Sequence, residues 1–373
     1  MTARTARILL LEPYFGGSHQ AFLQGLQRHL PFDFTLISLP ARKWKMRMQL
    51  AAPWMAARIV EQVRSGVDFD ALLCSTFLDV ALLRSLLFTA GLNLPVAVYF
   101  HENQFVYPAR PGDSSRFQFT ALNFTTALAA DRLGFNSRYN LETFMQGVGV
   151  YLQKATDMDL SPCLDTLAKK STVLYPGLDF SRMDAGRMDA ADPPPGRAVP
   201  VIVWNHRWEH DKDPDTFFRV LGELAAEGLE FRLIVLGQSF LRRPKVFARA
   251  EEKLRRHIIH FGYVDGERDY FRLLRRGDIV VSTARHEFFG LAVQEAVRCG
   301  CRPLVPDGLA YRELYPERYR YPAGGLKPAL RSLIRQPRSM SRNESRLLTE
   351  PYSWPQLAPA YRDWLSFSLA RQG

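Results

Sequence analysis

The chain has four cysteines in 373 residues, Cys74, Cys163, Cys299 and Cys301, and their spacing fits neither a disulfide framework nor a zinc cluster. Reduced thiols packed in cores are expected. No apolar run is long enough to cross a bilayer, because the best stretch, residues 71–88, is broken by Asp79 and Arg84. Two arginines precede the first apolar stretch and Glu12 follows it at once, which does not fit a secretory leader. These absences read as a cytoplasmic protein without stable membrane association. Internal repeats and low-complexity tracts are missing too. Neither His101-Glu102 nor His286-Glu287 is followed by a second histidine at the spacing of a zinc-binding helix. No Asp-x-Asp pair stands at the end of an expected strand, so neither a metal nor a resident cofactor is expected.

What is present exceeds the needs of one core. At 373 residues and 47% hydrophobic content, two domains of ordinary size are the default. The net charge of +11 admits a polyanionic partner, either a nucleic acid or an anionic membrane face. It does not choose between them.

In the first half, Arg7 to Glu12 reads as a buried strand, and Pro13-Tyr14-Phe15-Gly16-Gly17-Ser18-His19 turns into a helix expected from Gln20. A glycine pair at that turn permits close backbone approach to an anion or sugar, although the full dinucleotide fingerprint is absent. Further strands are expected over 34–39, 71–74, 96–100 and 131–135, with helices over 78–88, 117–130 and from Arg138 to about Met145. The strand 96–100 ends in His101-Glu102-Asn103-Gln104, and 131–135 ends in Asn136-Ser137. Polar clusters placed just after parallel strands stand where open α/β sheets bind ligands. For His101 a capping or structural role is the alternative.

Residues 41–60 contain Arg42, Lys43, Lys45, Arg47 and Arg58 with no acidic residue, interleaved with Trp44, Met46, Met48 and Trp54. This mixture suits an RNA backbone with bases to stack on, a bilayer surface, or a solvated helix with a few core contacts.

A proline-rich linker, 185–200, separates a first domain (1–184) from a second (201–350), and a helix over 351–373 is expected to cross back to the first, seated by Trp354. The second half alternates strands at 201–204, 231–236, 258–263, 278–282 and 302–305 with helical stretches. The fold class expected is α/β, with two facing, doubly wound, Rossmann-like parallel sheets and a cleft between them. The basic run 242–256 reads as a solvated helix face.

The most informative stretch is Ser282 to Ala296. Two carboxylates, Glu287 and Glu295, have seven residues between them; the first is expected in a loop and the second one turn into a helix. The helix start at Gly290 and Leu291 offers backbone N–H groups to a phosphate, and ionised carboxylates would accept hydrogen bonds from hydroxyls. Upstream, Arg207 and Lys212 follow the strand 201–204, a fork and a point charge suited to phosphate oxygens.

The Glu287-to-Glu295 spacing around Phe289-Gly290, with the Arg207-to-Lys212 spacing after the first strand, resembles the nucleotide-sugar site of the retaining glycosyltransferases of family 4, which have the GT-B fold. The segments 12–19, 99–105, 135–137 and 286–290 together resemble the tRNA-queuosine mannosyltransferase branch of that family. The resemblance spans nearly the whole chain. It implies a hexosyltransferase that moves mannose from GDP-mannose onto the cyclopentenediol of queuosine in an aspartate tRNA. It implies catalytic roles for His101, Glu287, Arg207 and Lys212. Donor contacts would come from Gly16, Gly17, Arg207, Lys212, Glu287, Phe289, Gly290, Leu291 and Glu295. Acceptor contacts would come from Ser18, His19, Arg42, Lys43, Lys45, Arg47, Asn103, Gln104 and Asn136. One departure is Arg312, where the family pattern has proline. The rival readings are a membrane-docked glycosyltransferase acting on a glycolipid or envelope polysaccharide, and a non-catalytic RNA-binding module with a decayed sugar site.

Overall fold

The computed structural model describes residues 4–107, 116–185, 199–238, 244–338 and 340–366. The chain forms two compact units, one of residues up to Leu178 together with those from Trp354 onward, the other Asp179–Ser353. The break falls at Leu178, so the helix Ser181–Ala185 belongs to the second unit. Residues 186–198 of the expected linker, Arg242 and Arg243 of the basic run, and the tail from residue 367 lie outside the described residues.

In the first unit six parallel strands, β1 (Arg7–Phe15), β2 (Asp33–Pro40), β3 (Ala71–Ser75), β4 (Val96–Phe100), β5 (Arg132–Phe135) and β6 (Ser171–Val173), stand in the order β2-β1-β3-β4-β5-β6. Every residue of β3 and β4 is buried, as expected for strands covered by helices on both faces. One face packs with the helix Trp44–Arg64 through Met55 and Ile59; the other, which carries Tyr99 of β4, packs with Phe22 and the helix Trp354–Leu365. Because β1 is flanked by β2 on one side and β3 on the other, the chain reverses its winding direction there. Loops leaving β1 and β3 therefore open on a crevice at the carboxyl edge.

The second unit repeats this plan. Strands β7 (Val201–Asn205), β8 (Arg232–Leu236), β9 (Ile258–Gly262), β10 (Ile279–Val281), β11 (Arg302–Pro306) and β12 (Arg320–Tyr321) are ordered β12-β11-β10-β7-β8-β9. The switch falls between β7 and β10, which places the segment after Asn205 beside the segment after Val281.

Three local expectations are corrected. Strand β1 runs on to Phe15 and the next helix is Gly17–His29, three residues earlier than expected. The helix from Arg138 continues to Leu152, past Gly147 and Gly149, and the missing Cβ at Gly147 lets Phe105 lie against it. The short strands β6 and β12 and the helix Ser161–Lys170 were not anticipated. Strands of two or three residues carry too little alternation to register as a pattern.

Candidate active site

In the second unit the loops after β7 and β10 are tied together by a buried lysine. Asp213, in the left-handed region at φ 49°, ends a short 3₁₀ turn (His210–Lys212) and caps the helix Pro214–Ala226 by accepting from Thr216 N–H. That turn points Lys212 inward. Its Nζ donates to the His286 carbonyl at 2.8 Å and to Glu287 Oε2 at 3.1 Å, with Asp211 Oδ2 also at 3.1 Å. Backbone and side chain bind the same two loops, through Arg285 N–H to Asp211 O at 2.8 Å, Thr283 Oγ1 to Lys212 O at 2.7 Å, and Arg285 paired with Asp213 at 2.9 Å.

Burial opposes every charge in this cluster, and the partners decide the outcome. For Glu287, burial is outweighed by Lys212 and the neighbouring histidines, which hold its carboxyl below the usual range. Lys212 has its pKa raised, since Glu287 and Asp211 more than offset burial. His206 and His286 are pushed down to about 4 by burial and then by Lys212, so both rings are neutral near pH 7. The cluster is an ionised carboxylate–ammonium–carboxylate arrangement framed by neutral imidazoles. Arg207, on the same loop, is half exposed and lies 3.4 Å from Glu209.

Gly290 stands at φ 82° as the N-cap of the helix Leu291–Arg298. A Cβ there would approach the ring of Tyr311 to 3.0 Å, and Tyr311 itself donates to Ser282 Oγ at 2.8 Å. Glycine thus lets the helix start close over Tyr311, with first-turn N–H groups that lack intrahelical acceptors. The Phe289 ring is buried and meets Tyr352 edge-on at 5.3 Å. Arg312 is folded back onto Asp307 at 3.2 Å and is exposed.

Glu295 behaves differently from Glu287. It accepts from Tyr270 Oη at 2.5 Å, and Asn205 Nδ2 donates to that same phenol oxygen at 2.7 Å. Burial dominates here, outweighing the Tyr270 hydrogen bond, and its pKa is pushed up to about 7. Near neutral pH Glu287 therefore stands ionised, while Glu295 is close to its midpoint. Asp211, Tyr270 and Asn205 were missed as site residues. Asp211 is adjacent to Lys212 in sequence and was legible; Tyr270 joins the site only through folding and left no local signal.

In the first unit, His101 lies at the end of β4, half buried among aromatic rings: His19 at 4.0 Å between centroids, Tyr99 at 4.7 Å and Phe22 at 5.0 Å. Burial and then His19 lower its pKa well below the usual value, so it is neutral at pH 7. The three amides expected at the acceptor are engaged within the protein. Asn103 donates to Asn140 Oδ1 and Thr143 while its oxygen accepts from Phe105 N–H. Asn136 donates to the His101 carbonyl at 2.7 Å, and Gln104 to Glu102. This network fixes the loop that carries His101. Gly16 is required by packing, since a Cβ would lie 2.6 Å from Ala41; Gly17 (φ 54°) and Ser18 face open space.

The basic segment forms the helix Trp44–Arg64. Arg42 and Lys43 are exposed, whereas Lys45 and Arg47 are half buried. Trp44 turns inward beside Phe77 and Phe119, and Lys45 lies 5.7 Å from both the Trp44 and Phe119 ring centroids. The exposed apolar side chains are Met46, Leu50 and Trp54, with Arg58 over the Trp54 ring at 5.6 Å.

Two doubly wound parallel units, the second with an ammonium–carboxylate cluster beside a helix start at its switch point, define a glycosyltransferase of the GT-B class. Residues 193–318 match the family of glycosyl transferases group 1. Solved structures of that architecture align over the chain at low identity: Anabaena HepE in complex with UDP (14% identity, TM-score 0.68, 96% of this chain and 99% of that one) and a sucrose-phosphate synthase from Thermosynechococcus elongatus (13%, TM-score 0.69, 98% and 100%). Residues 7–178 match the N-terminal domain of tRNA-queuosine α-mannosyltransferases, and a Drosophila melanogaster protein of that name is 32% identical over 99% of both chains. The chain belongs to the tRNA-queuosine α-mannosyltransferase family, and it is a hexosyltransferase. A GDP-mannose-dependent phosphatidylinositol dimannoside mannosyltransferase of Mycobacterium tuberculosis is 27% identical over 42% of each chain.

Proposed function

We propose that the enzyme transfers mannose from GDP-mannose to the cyclopentenediol of queuosine in the anticodon of an aspartate tRNA, with retention of anomeric configuration. The observation that carries the chemistry is the buried Lys212–Glu287 pair beside the helix start at Gly290. The names of two relatives, one for queuosine tRNA over the whole length and one for GDP-mannose over part of it, support the substrates.

In this reading the acceptor oxygen attacks the anomeric carbon on the side of the leaving group. The bond from that carbon to the diphosphate breaks, its electron pair stays on the diphosphate, and the acceptor proton passes to a phosphate oxygen. Positive charge on Lys212 and Arg207 and the N–H groups at Leu291 stabilise the diphosphate as it leaves. Glu287, ionised, accepts from sugar hydroxyls. Glu295 accepts from the ribose, exchanging the Tyr270 hydroxyl for a substrate hydroxyl. His101, neutral, offers a ring nitrogen to the sugar.

The test is mass spectrometry of queuosine-containing tRNA after incubation with a panel of nucleotide sugars. A mass gain of one hexose with GDP-mannose alone is expected. Transfer from another donor revises the sugar, and transfer only to lipid in a parallel vesicle arm refutes the tRNA reading. Among the described residues no helix is long and apolar enough to cross a membrane.

A further inference from the structure

Glu12 is 1% exposed, and none of the roles above uses it. A carboxylate is not buried without strong compensation. Here Oε1 accepts from Tyr14 N–H at 2.8 Å and from Ser75 Oγ at 3.0 Å, and Oε2 lies 2.9 Å from His19 Nδ1. Tyr14 and Ser75 stand at the ends of β1 and β3, the two strands that flank the winding reversal, and His19 in the first turn of the helix after β1, so the fold itself brings them to the crevice.

We infer that Glu12 is a positioning residue for the acceptor side of the reaction: by accepting from Nδ1–H it fixes the orientation of the His19 ring, so that Nε2 faces a hydroxyl of the incoming diol. This inference rests on the proposed function for the identity of the acceptor.

With Oε1 taken up by the Tyr14 and Ser75 donors, Oε2 is the acceptor toward the ring, and the hydrogen of that bond sits on Nδ1. The ring is held by its faces, with Phe77 stacked at 5.2 Å and His101 at 4.0 Å. Rotation out of this orientation would break up both ring pairs. Among the described residues Nε2 has no hydrogen-bond partner, and the side chain keeps 8% of its surface. Next to it in sequence, Ser18 is exposed, so this turn is accessible to a substrate. The neighbouring His101 is left to the sugar, and one hydroxyl-binding nitrogen is thereby assigned to each imidazole.

A cation is the competing occupant, since ligand atoms of Glu12, His19 and His101 all lie within 4.8 Å of one another. The two imidazole planes are only 31° apart at a 4.0 Å centroid separation. Their in-plane lone pairs do not converge on one point unless a ring turns, and Glu12 already meets three protein partners.

Glu12→Gln tests the inference with little change of shape. Its amide oxygen can keep the Tyr14 and Ser75 hydrogen bonds, which turns the NH₂ group toward Nδ1 and forces the opposite tautomer, with hydrogen on Nε2. Turnover on queuosine tRNA should fall by about tenfold to a hundredfold, the scale of a mispositioned reacting group. Donor affinity by calorimetry should be unchanged. Nitrogen-15 NMR of histidine-labelled protein should show the protonated nitrogen of His19 moving from Nδ1 to Nε2. Full turnover in the variant, an Nε2–H tautomer already present in the unsubstituted protein, or a stoichiometric metal ion that Glu12→Gln removes would each overturn the inference. If the unsubstituted enzyme glycosylates some other hydroxyl acceptor, the proposed function fails, and the same variant comparison on that acceptor decides the role of Glu12.

Discussion

Lys212 holds two carboxylates in a buried cluster, so its removal is a stability event as well as a catalytic one. Lys212→Ala leaves Asp211 and Glu287 without their cation, and losing one member of a buried ionic group costs on the order of 3–5 kcal/mol. Chemical denaturation should show that loss, and kcat/KM should fall by about a hundredfold or more, as for a removed electrostatic stabiliser. A near-normal rate in a folded Lys212→Ala variant would reject its place at the diphosphate. Glu295 predicts the opposite coupling. Its pKa in the folded state, about 7, lies above the value of an exposed glutamate, so between those two values the folded protein binds more protons than the unfolded one. Stability contributed by this group is therefore present at low pH and is lost as pH rises through about 7. Glu295→Gln, which can still accept from Tyr270, should raise the melting temperature at pH 8 and weaken donor binding. In the unsubstituted enzyme donor affinity should rise with pH up to about 7, because the ionised form is the better acceptor for ribose hydroxyls. Binding at pH 6 should release protons, measurable by calorimetry in buffers of different ionisation enthalpy. Donor affinity that is flat from pH 5.5 to 8 would remove Glu295 from the ribose.

At the scale of elements, the helix Trp354–Leu365 shows how two glycines make a docking site. Trp354 stacks on His29 at 5.5 Å and lies against Phe22, and a Cβ on Gly25 or Gly177 would meet its ring at 2.2 or 2.3 Å. Tyr361 then hydrogen-bonds the Tyr175 carbonyl at 2.9 Å. Gly177→Ala should displace the indole and destabilise the first unit by roughly 1–3 kcal/mol, the cost of overpacking; near-ultraviolet circular dichroism and a lowered melting temperature check it. An unchanged melting temperature would show that Trp354 has room to shift. The sequence made Trp354 stand out by type, but the glycines that receive it come from the helix Gly17–His29 and the segment after β6, and no local pattern connects them. The same division runs through the site. Apolar runs such as Val96–Phe100 and the glycine stop after Arg298 were legible, since a strand buried on both faces and a helix end leave local marks. The Arg207, Lys212, Glu287 and Glu295 set was legible as spacing. What escaped were pairings made by folding: Glu12 with His19 and Ser75, Tyr270 with Glu295, and the Asn103–Asn140–Asn136 network. Those amides looked like ligand groups because polar residues after a strand usually are, and here buried backbone groups needed them first.

The whole molecule carries a net charge of +11, which under the proposed function would meet an RNA at exposed cations. A polyanion is drawn to exposed cations, and in the basic segment these are Arg42, Lys43 and Arg58, of which Arg58 is paired with Glu61 at 2.7 Å; Lys45 is occupied over the Trp44 and Phe119 rings and Arg47 is half buried. Beside them Met46, Leu50 and Trp54 recur every four residues on one exposed helix face, with Arg58 over the indole. That face suits unstacked bases better than Trp44 does, because Trp44 is turned into the protein. Replacing Arg42 and Lys43 together by alanine should therefore weaken tRNA binding and flatten its salt dependence, by about 0.7 to 0.9 in the log–log slope for each phosphate no longer neutralised. Trp54→Ala should weaken binding without changing that slope, since stacking releases no counterions. Neither change should alter donor affinity. A membrane-docking helix would behave otherwise: the double variant would lose anionic vesicles and keep its tRNA slope. Queuosine-lacking tRNA should compete with nearly the affinity of the modified molecule yet accept no sugar, because phosphates position the RNA while only the modified base carries the hydroxyl nucleophile. Sugar transfer to the unmodified tRNA would place the acceptor hydroxyl elsewhere and would leave the basic helix as a general RNA-binding surface.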